Sequence, residues 1–127
     1  MAAKLNQRAF DHAKQLIEQG QFVADERDMW SEHQPSTADE NRYIEEHGVA
    51  EYGKWYLGVD DAEDAHSKER YKFPYGDFKK VHRCGVLSAE VRAGQYKYRD
   101  IEDAAAHLHG MIDGAVVAKL GREPSDT

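Results

Sequence analysis

A chain of 127 residues, 40% apolar and 32% charged, is sized for one domain around one core and is too short for two. Its net charge of −7 opposes generic attraction to nucleic acid, and its single cysteine rules out an internal disulfide. No apolar run approaches the ~20 residues of a membrane span, and MAAKLNQRAF has no apolar signal-type core, so a cytoplasmic protein without membrane contact is expected.

The first element is a helix. Leu5, Ala9, Ala13, Leu16 and Ile17 recur at three- and four-residue spacing, and Gly20 stands where a left-handed stop is needed. Residues 24–36 lose this periodicity and read as an acidic connector, with Trp30 turned onto the core. A second helix is predicted from Ser36 to Gly48. Ser36 and Asp39 match the capping-box spacing, while Ala38, Tyr43 and Ile44 give only a thin apolar face. Residues 54–59 are aromatic and glycine-bounded and read as a strand, with a helix as the rival; residues 70–73 would return as its partner in a two-stranded ribbon. Phe73-Pro74-Tyr75-Gly76 suits a type I turn.

Asp77 is placed to cap a third helix. Along it Val81, Cys84, Leu87, Ser88 and Val91 share one face, and Phe78, His82, Gly85, Ala89, Ala93 and Tyr96 share another. A helix apolar or small on two sides is packed on two sides, which makes this the central helix. The row Gly85, Ala89, Ala93 would admit a close helical neighbour. A fourth helix opens at Asp100 and runs to about Ala118 on the stripe Ile101, Ala104, Ala105, Leu108, Met111, Ile112 and Ala115. The short link at residues 97–99 forces these two helices antiparallel. The fold expected is mainly α: about four helices and a small two-stranded β ribbon in one domain over residues 1–120, with a flexible tail at 121–127.

Charge lies in blocks. Residues 25–64 hold thirteen acidic against three basic side chains, whereas residues 68–99 hold nine basic against three acidic. The basic segment also carries Tyr71, Phe73, Tyr75, Phe78, Tyr96 and Tyr98. Lys72, Tyr75, Lys79, Lys80 and Arg83 are therefore the candidate ligand-binding residues, a combination of cation and ring that suits an anionic ligand or a phosphate backbone. The opposing reading pairs these lysines with the acidic block and places Phe73 and Tyr75 in the core.

Other chemistry is weaker in the sequence. On a continuous helix His82 and Cys84 point about 200° apart, so Cys84 reads as a small buried hydrophobe and His82 as a buried histidine donating to a backbone carbonyl. The seven histidines include no HExxH, no CxxC pairing exists, and no metal or other cofactor is expected from local spacing, which leaves open only a folded site built from distant residues. Counted from Asp60, the DDAED run places Ala65 and Tyr71 where a calcium loop needs glycine and glutamate.

The segments GKWYLGVD (53–60), RYKFPYGDFKKVHRCGVLSAEVRAGQY (70–96) and DIEDAAAHLHGMID (100–113) resemble a group of small uncharacterised bacterial proteins that share the RYKFPYGDF…VHR pattern. That likeness carries no activity with it. A fainter likeness is to a helical module found beside tailed-phage prohead proteases, with an aromatic strand, a Y-K-x-P turn, a V-x-R helix and an Ala-rich last helix in the same order. It implies a shared fold and phage ancestry; the protease's catalytic residues are not recognisable in this sequence. Three functional readings follow. The first is a non-enzymatic interaction module with a protein partner. The second is a nucleic-acid or anionic-ligand binder acting through residues 68–99. The third is an enzyme with a dispersed site near His82 and Asp77.

Overall fold

The computed structural model describes residues 2–122, with side chains through 119. In chain order the elements are β1 (Lys4–Leu5), α1 (Gln7–Glu18), β2 (Phe22–Val23), α2 (Trp30–His33), α3 (Thr37–His47), α4 (Val49–Gly53) and β3 (Tyr56–Val59). A 3₁₀ turn at Lys68–Arg70 leads into β4 (Tyr71–Pro74), β5 (Val81–His82), α5 (Arg83–Gln95) and α6 (Arg99–Arg122). The described residues are mainly helical and form one unit, with 58% of them in six helices, four of these of seven residues or more.

Local signals act where the residues place them. Gly20 takes φ 78°, and the amides of Gly20 and Gln21 reach back to the carbonyls of Ile17 and Leu16, the two bonds of a Schellman stop. Ser36 accepts from the Asp39 amide at 3.1 Å, and Asp39 Oδ2 accepts from the Ser36 amide at 3.2 Å, completing the capping box of α3. Ser36→Ala is expected to lower stability by about 1 kcal/mol in urea titration, with no change in the slope of the transition.

The core fills the angle between the α5–α6 hairpin, α1 lying across α6, and a three-stranded sheet. Ala9 and Ala13 of α1, Leu57, Val86, Ile101, Leu108 and Ile112 are all but sealed from solvent. Trp55, Tyr75 and Phe78 close a second, aromatic end of the same core.

Several expectations change in detail. The ribbon expected at residues 54–59 and 70–73 narrows to Tyr56–Val59 and Tyr71–Pro74, with a turn at Lys54–Trp55, and gains a third member. Strand β1 pairs antiparallel with β3, Lys4 opposite Val59, so Leu5 belongs to a strand and α1 starts only at Gln7. The central helix does not begin at Asp77. Phe78 adopts φ 69°, and the Asp77 side chain accepts from the Lys79 and Lys80 amides, which makes a tight turn in place of a first helical turn. Val81–His82 then runs extended, in parallel with Phe22–Val23, and α5 opens at Arg83. The close neighbour of Gly85 is also different. An added Cβ there would lie 2.8 Å from the Tyr75 carbonyl and 2.9 Å from the Trp30 ring, so the small residue admits a turn and an indole instead of a helix. At the other end α6 continues through Arg122, into the first residues of the expected tail; residues 123–127 lie outside the described residues.

Candidate metal centre

The parallel pairing of β2 and β5 organises the site. Phe22 lies opposite Val81 and Val23 opposite His82, so both chains leave the pair in the same direction. Asp25 follows one strand and Cys84 the other, and they meet: the Cys84 amide donates to Asp25 Oδ1 at 2.7 Å, and the thiol donates to Asp25 Oδ2 at 3.2 Å. The short α2 delivers His33, whose Nδ1–H donates to the same Oδ2 at 2.7 Å and stands 3.6 Å from Cys84 Sγ. Trp30 anchors α2 by burying its indole beside Gly85 and His82. His82 Nδ1–H also donates to Asp25 Oδ2 at 2.7 Å. Two imidazoles, a thiol and a carboxylate, from residues up to 59 apart in sequence, thus converge, with their ligand atoms all within 4.8 Å of one another.

The surroundings hold this arrangement in place. The far nitrogen of His82 donates to Asp77 Oδ2 at 2.9 Å, and the Asp77 carboxylate is itself fixed by the Lys79 and Lys80 amides. Arg83 reaches back to the Asp25 carbonyl at 3.2 Å while its Nε–H donates to Asp113 at 2.8 Å. His82 is only 7% exposed and Cys84 1%.

Charge follows from these contacts. Burial works against the Asp25 carboxylate, but the bonds it accepts from the Cys84 amide, His82, the Cys84 thiol and His33 outweigh burial and hold it below the ordinary carboxylate range. Burial likewise opposes ionisation of Asp77, yet His82 and the two turn amides bring it down to about 2. The bond to Asp77 raises His82 against the opposing effect of burial, and Asp25 adds to it. Burial, and then the neighbouring Asp25 carboxylate, push the Cys84 thiol up to about 12.

These directions separate two kinds of chemistry. A nucleophilic cysteine needs a lowered pKa and a base on its sulfur. Here the carboxylate sits directly against the thiol, the thiol is held protonated, and both nitrogens of His82 are engaged. A divalent cation reverses the balance, because thiolate, imidazole and carboxylate are its natural donors and it replaces the protons that now bridge them. Tetrahedral zinc, with bonds of about 2.0–2.3 Å, needs donor atoms roughly 3–4 Å apart. The bridged atoms here lie 2.7–3.6 Å apart, and every pair of the four donor atoms lies within 4.8 Å, so small shifts of the side chains would close a tetrahedral shell. Asp77 supplies the carboxylate that orients a ligating histidine through its other nitrogen.

The basic-aromatic candidates are distributed differently. Lys79 and Lys80 are exposed together on the Asp77 turn. Tyr75 is wholly buried, with its hydroxyl donating to the Lys54 carbonyl beside His12. Lys72 is half-buried in β4, opposite Gly58, and Arg83 is bound to Asp113 and the Asp25 carbonyl. His82 and Asp77 do come together, and His82 donates to two carboxylates instead of a backbone carbonyl. Asp25 and His33 lie in a stretch without periodicity, which hides them in the sequence, and a continuous helix through His82 and Cys84 would hold those two apart.

No family model, no curated protein and no solved structure matches this chain.

Proposed function

We propose that this protein is a small metal-dependent binding module, in which a zinc-class ion held by Asp25, His33, His82 and Cys84 fastens the connector of residues 24–36 to the start of α5. The observation that carries this reading is the convergence of four different donor side chains on one point, with Asp77 behind His82. Four protein ligands complete a tetrahedral shell, which is the pattern of a structural rather than a catalytic ion. The mixed nitrogen, sulfur and oxygen set favours zinc over the hard, all-oxygen cations.

Cobalt substitution tests it directly. Protein loaded with one equivalent of Co²⁺ should show intense tetrahedral d–d absorption and a near-ultraviolet thiolate-to-cobalt band, and Cys84→Ser should abolish that band. Zinc should compete the cobalt away at one equivalent. A folded protein that gives only the weak spectrum of hydrated cobalt would overturn the assignment.

A further inference from the structure

Resting on that reading, we infer that the cavity on the α5 side of the centre binds a small anion bearing an apolar body, such as an aryl or short acyl phosphate or carboxylate. The cavity measures about 390 Å³, within the range of small-ligand sites. Its lining separates by exposure. Trp30, Cys84 and Leu87 are buried and form the floor, while Arg27, Gln34, Arg92 and Gln95 are exposed and form the rim, with Val91 beside them.

Charge and shape both point to such a ligand. Two guanidiniums reach this rim against one carboxylate, Asp28. Among the described residues, neither Arg27 nor Arg92 has an ion pair; Arg92 only lies over the Phe73 ring at 5.6 Å. By contrast Arg8, Arg42, Arg70 and Arg83 are each paired with a carboxylate. Two unpaired guanidiniums bordering a pocket supply fork-shaped donors that suit phosphate or carboxylate oxygens. Val91 is 47% exposed on the same helix as the buried Cys84 and Leu87, and with the Trp30 and Leu87 floor it gives an apolar body a surface to cover. An anion without such a body would leave that floor uncovered. Cys84 itself is part of the floor, so a seated ligand lies against a residue that also supplies a donor to the candidate metal centre.

The test uses zinc-loaded and cobalt-loaded full-length protein, with metal content measured on each sample. Phenyl phosphate, benzoate and inorganic phosphate are titrated separately by calorimetry. Phenyl phosphate or benzoate should bind saturably and more tightly than inorganic phosphate, and the preferred one identifies the head group. Arg27→Ala and Arg92→Ala should each weaken binding roughly tenfold while metal content stays at one per chain. In the cobalt protein, the bound aryl probe should shift the thiolate-to-cobalt band. Full metal content without saturable aryl binding overturns the pocket. Binding indifferent to both arginines, or binding that leaves the cobalt band unmoved, overturns the seat described here. Arginine-dependent binding by protein that takes up no metal would uphold the pocket and remove the metal assignment.

Discussion

Stripping the metal with a strong chelator should lower the midpoint of thermal unfolding by roughly 10 °C. A ligand that binds only the folded chain stabilises it by about 2.7 kcal/mol at a hundredfold excess over its Kd. For a domain of this size each kcal/mol moves the midpoint by roughly 3–5 °C. The structure gives the loss a definite location. Without the ion, Asp25 Oδ2 is shared among two imidazole N–H groups and a thiol, and the connector bearing Asp25 and His33 is held by those bonds, by Trp30 and by the Arg83 bond to the Asp25 carbonyl. Protease cleavage should therefore concentrate between residues 24 and 36 after chelation, while the α5–α6 hairpin stays protected. Cys84→Ser should melt at about the chelated midpoint and respond little to chelator. Asp77→Asn keeps all four ligands but weakens the support of His82, and should reduce zinc affinity by about 10–100-fold. Identical melting with and without chelator in a metal-loaded sample would show that the ion does not stabilise the fold.

Trp55→Ala should be the most damaging single change in the core, at roughly 3–5 kcal/mol. The Trp55 indole stacks on Tyr75 at 5.7 Å between ring centres, meets His12 edge-on at 4.9 Å and Phe78 at 6.0 Å, and donates its N–H to the Tyr43 hydroxyl at 3.3 Å. Gly76 is small because the Lys80 carbonyl and this ring both crowd it: a Cβ there would fall 2.6 Å from the carbonyl and 2.7 Å from the indole. Truncation would therefore open a cavity that the rigid turn and sheet around it close poorly, and would remove the donor to Tyr43. Against a typical total stability of 5–15 kcal/mol, the variant should be marginal at 37 °C. Urea unfolding of Trp55→Ala beside Trp55→Phe measures this; Phe should recover more than half of the loss. A loss below 1 kcal/mol for Ala would mean that this aromatic end is not packed as described.

The two halves of this molecule differ in how far their sequence announces them. Periodicity and stop signals lie within a few residues of one another, so the Gly20 stop, the Ser36–Asp39 box, the 54–59 and 70–73 ribbon and the α5–α6 hairpin could all be read from neighbours. Two-residue strands carry no period, which is why β1, β2 and β5 were not visible. The candidate metal centre depends on the least visible of them. Once Val81–His82 is extended instead of helical, His82 and Cys84 no longer diverge, and only the pairing with β2 shows that Asp25 stands beside them. His33 arrives on a four-residue helix whose buried residue, Trp30, sits inside an acidic stretch. The basic-aromatic segment was conspicuous in composition, yet composition could not separate Tyr75, which faces inward, from Lys79 and Lys80, which face solvent.

The parallel junction of β2 and β5 also bears on the order in which the chain assembles. The α5–α6 hairpin closes over a three-residue link, whereas Asp25 must find His82 across 57 positions. Closing the longer loop costs roughly 2–3 kcal/mol more chain entropy, and that cost falls before the short strands and the buried indole return anything. The hairpin should accordingly be formed in the folding transition state and the 22–33 segment should dock after it. A substitution in Val23 or Trp30 would then chiefly accelerate unfolding, and one in Leu108 would slow folding. On this ordering the ion meets a site that is already nearly built, and acts as a late latch on the finished fold instead of a seed for it.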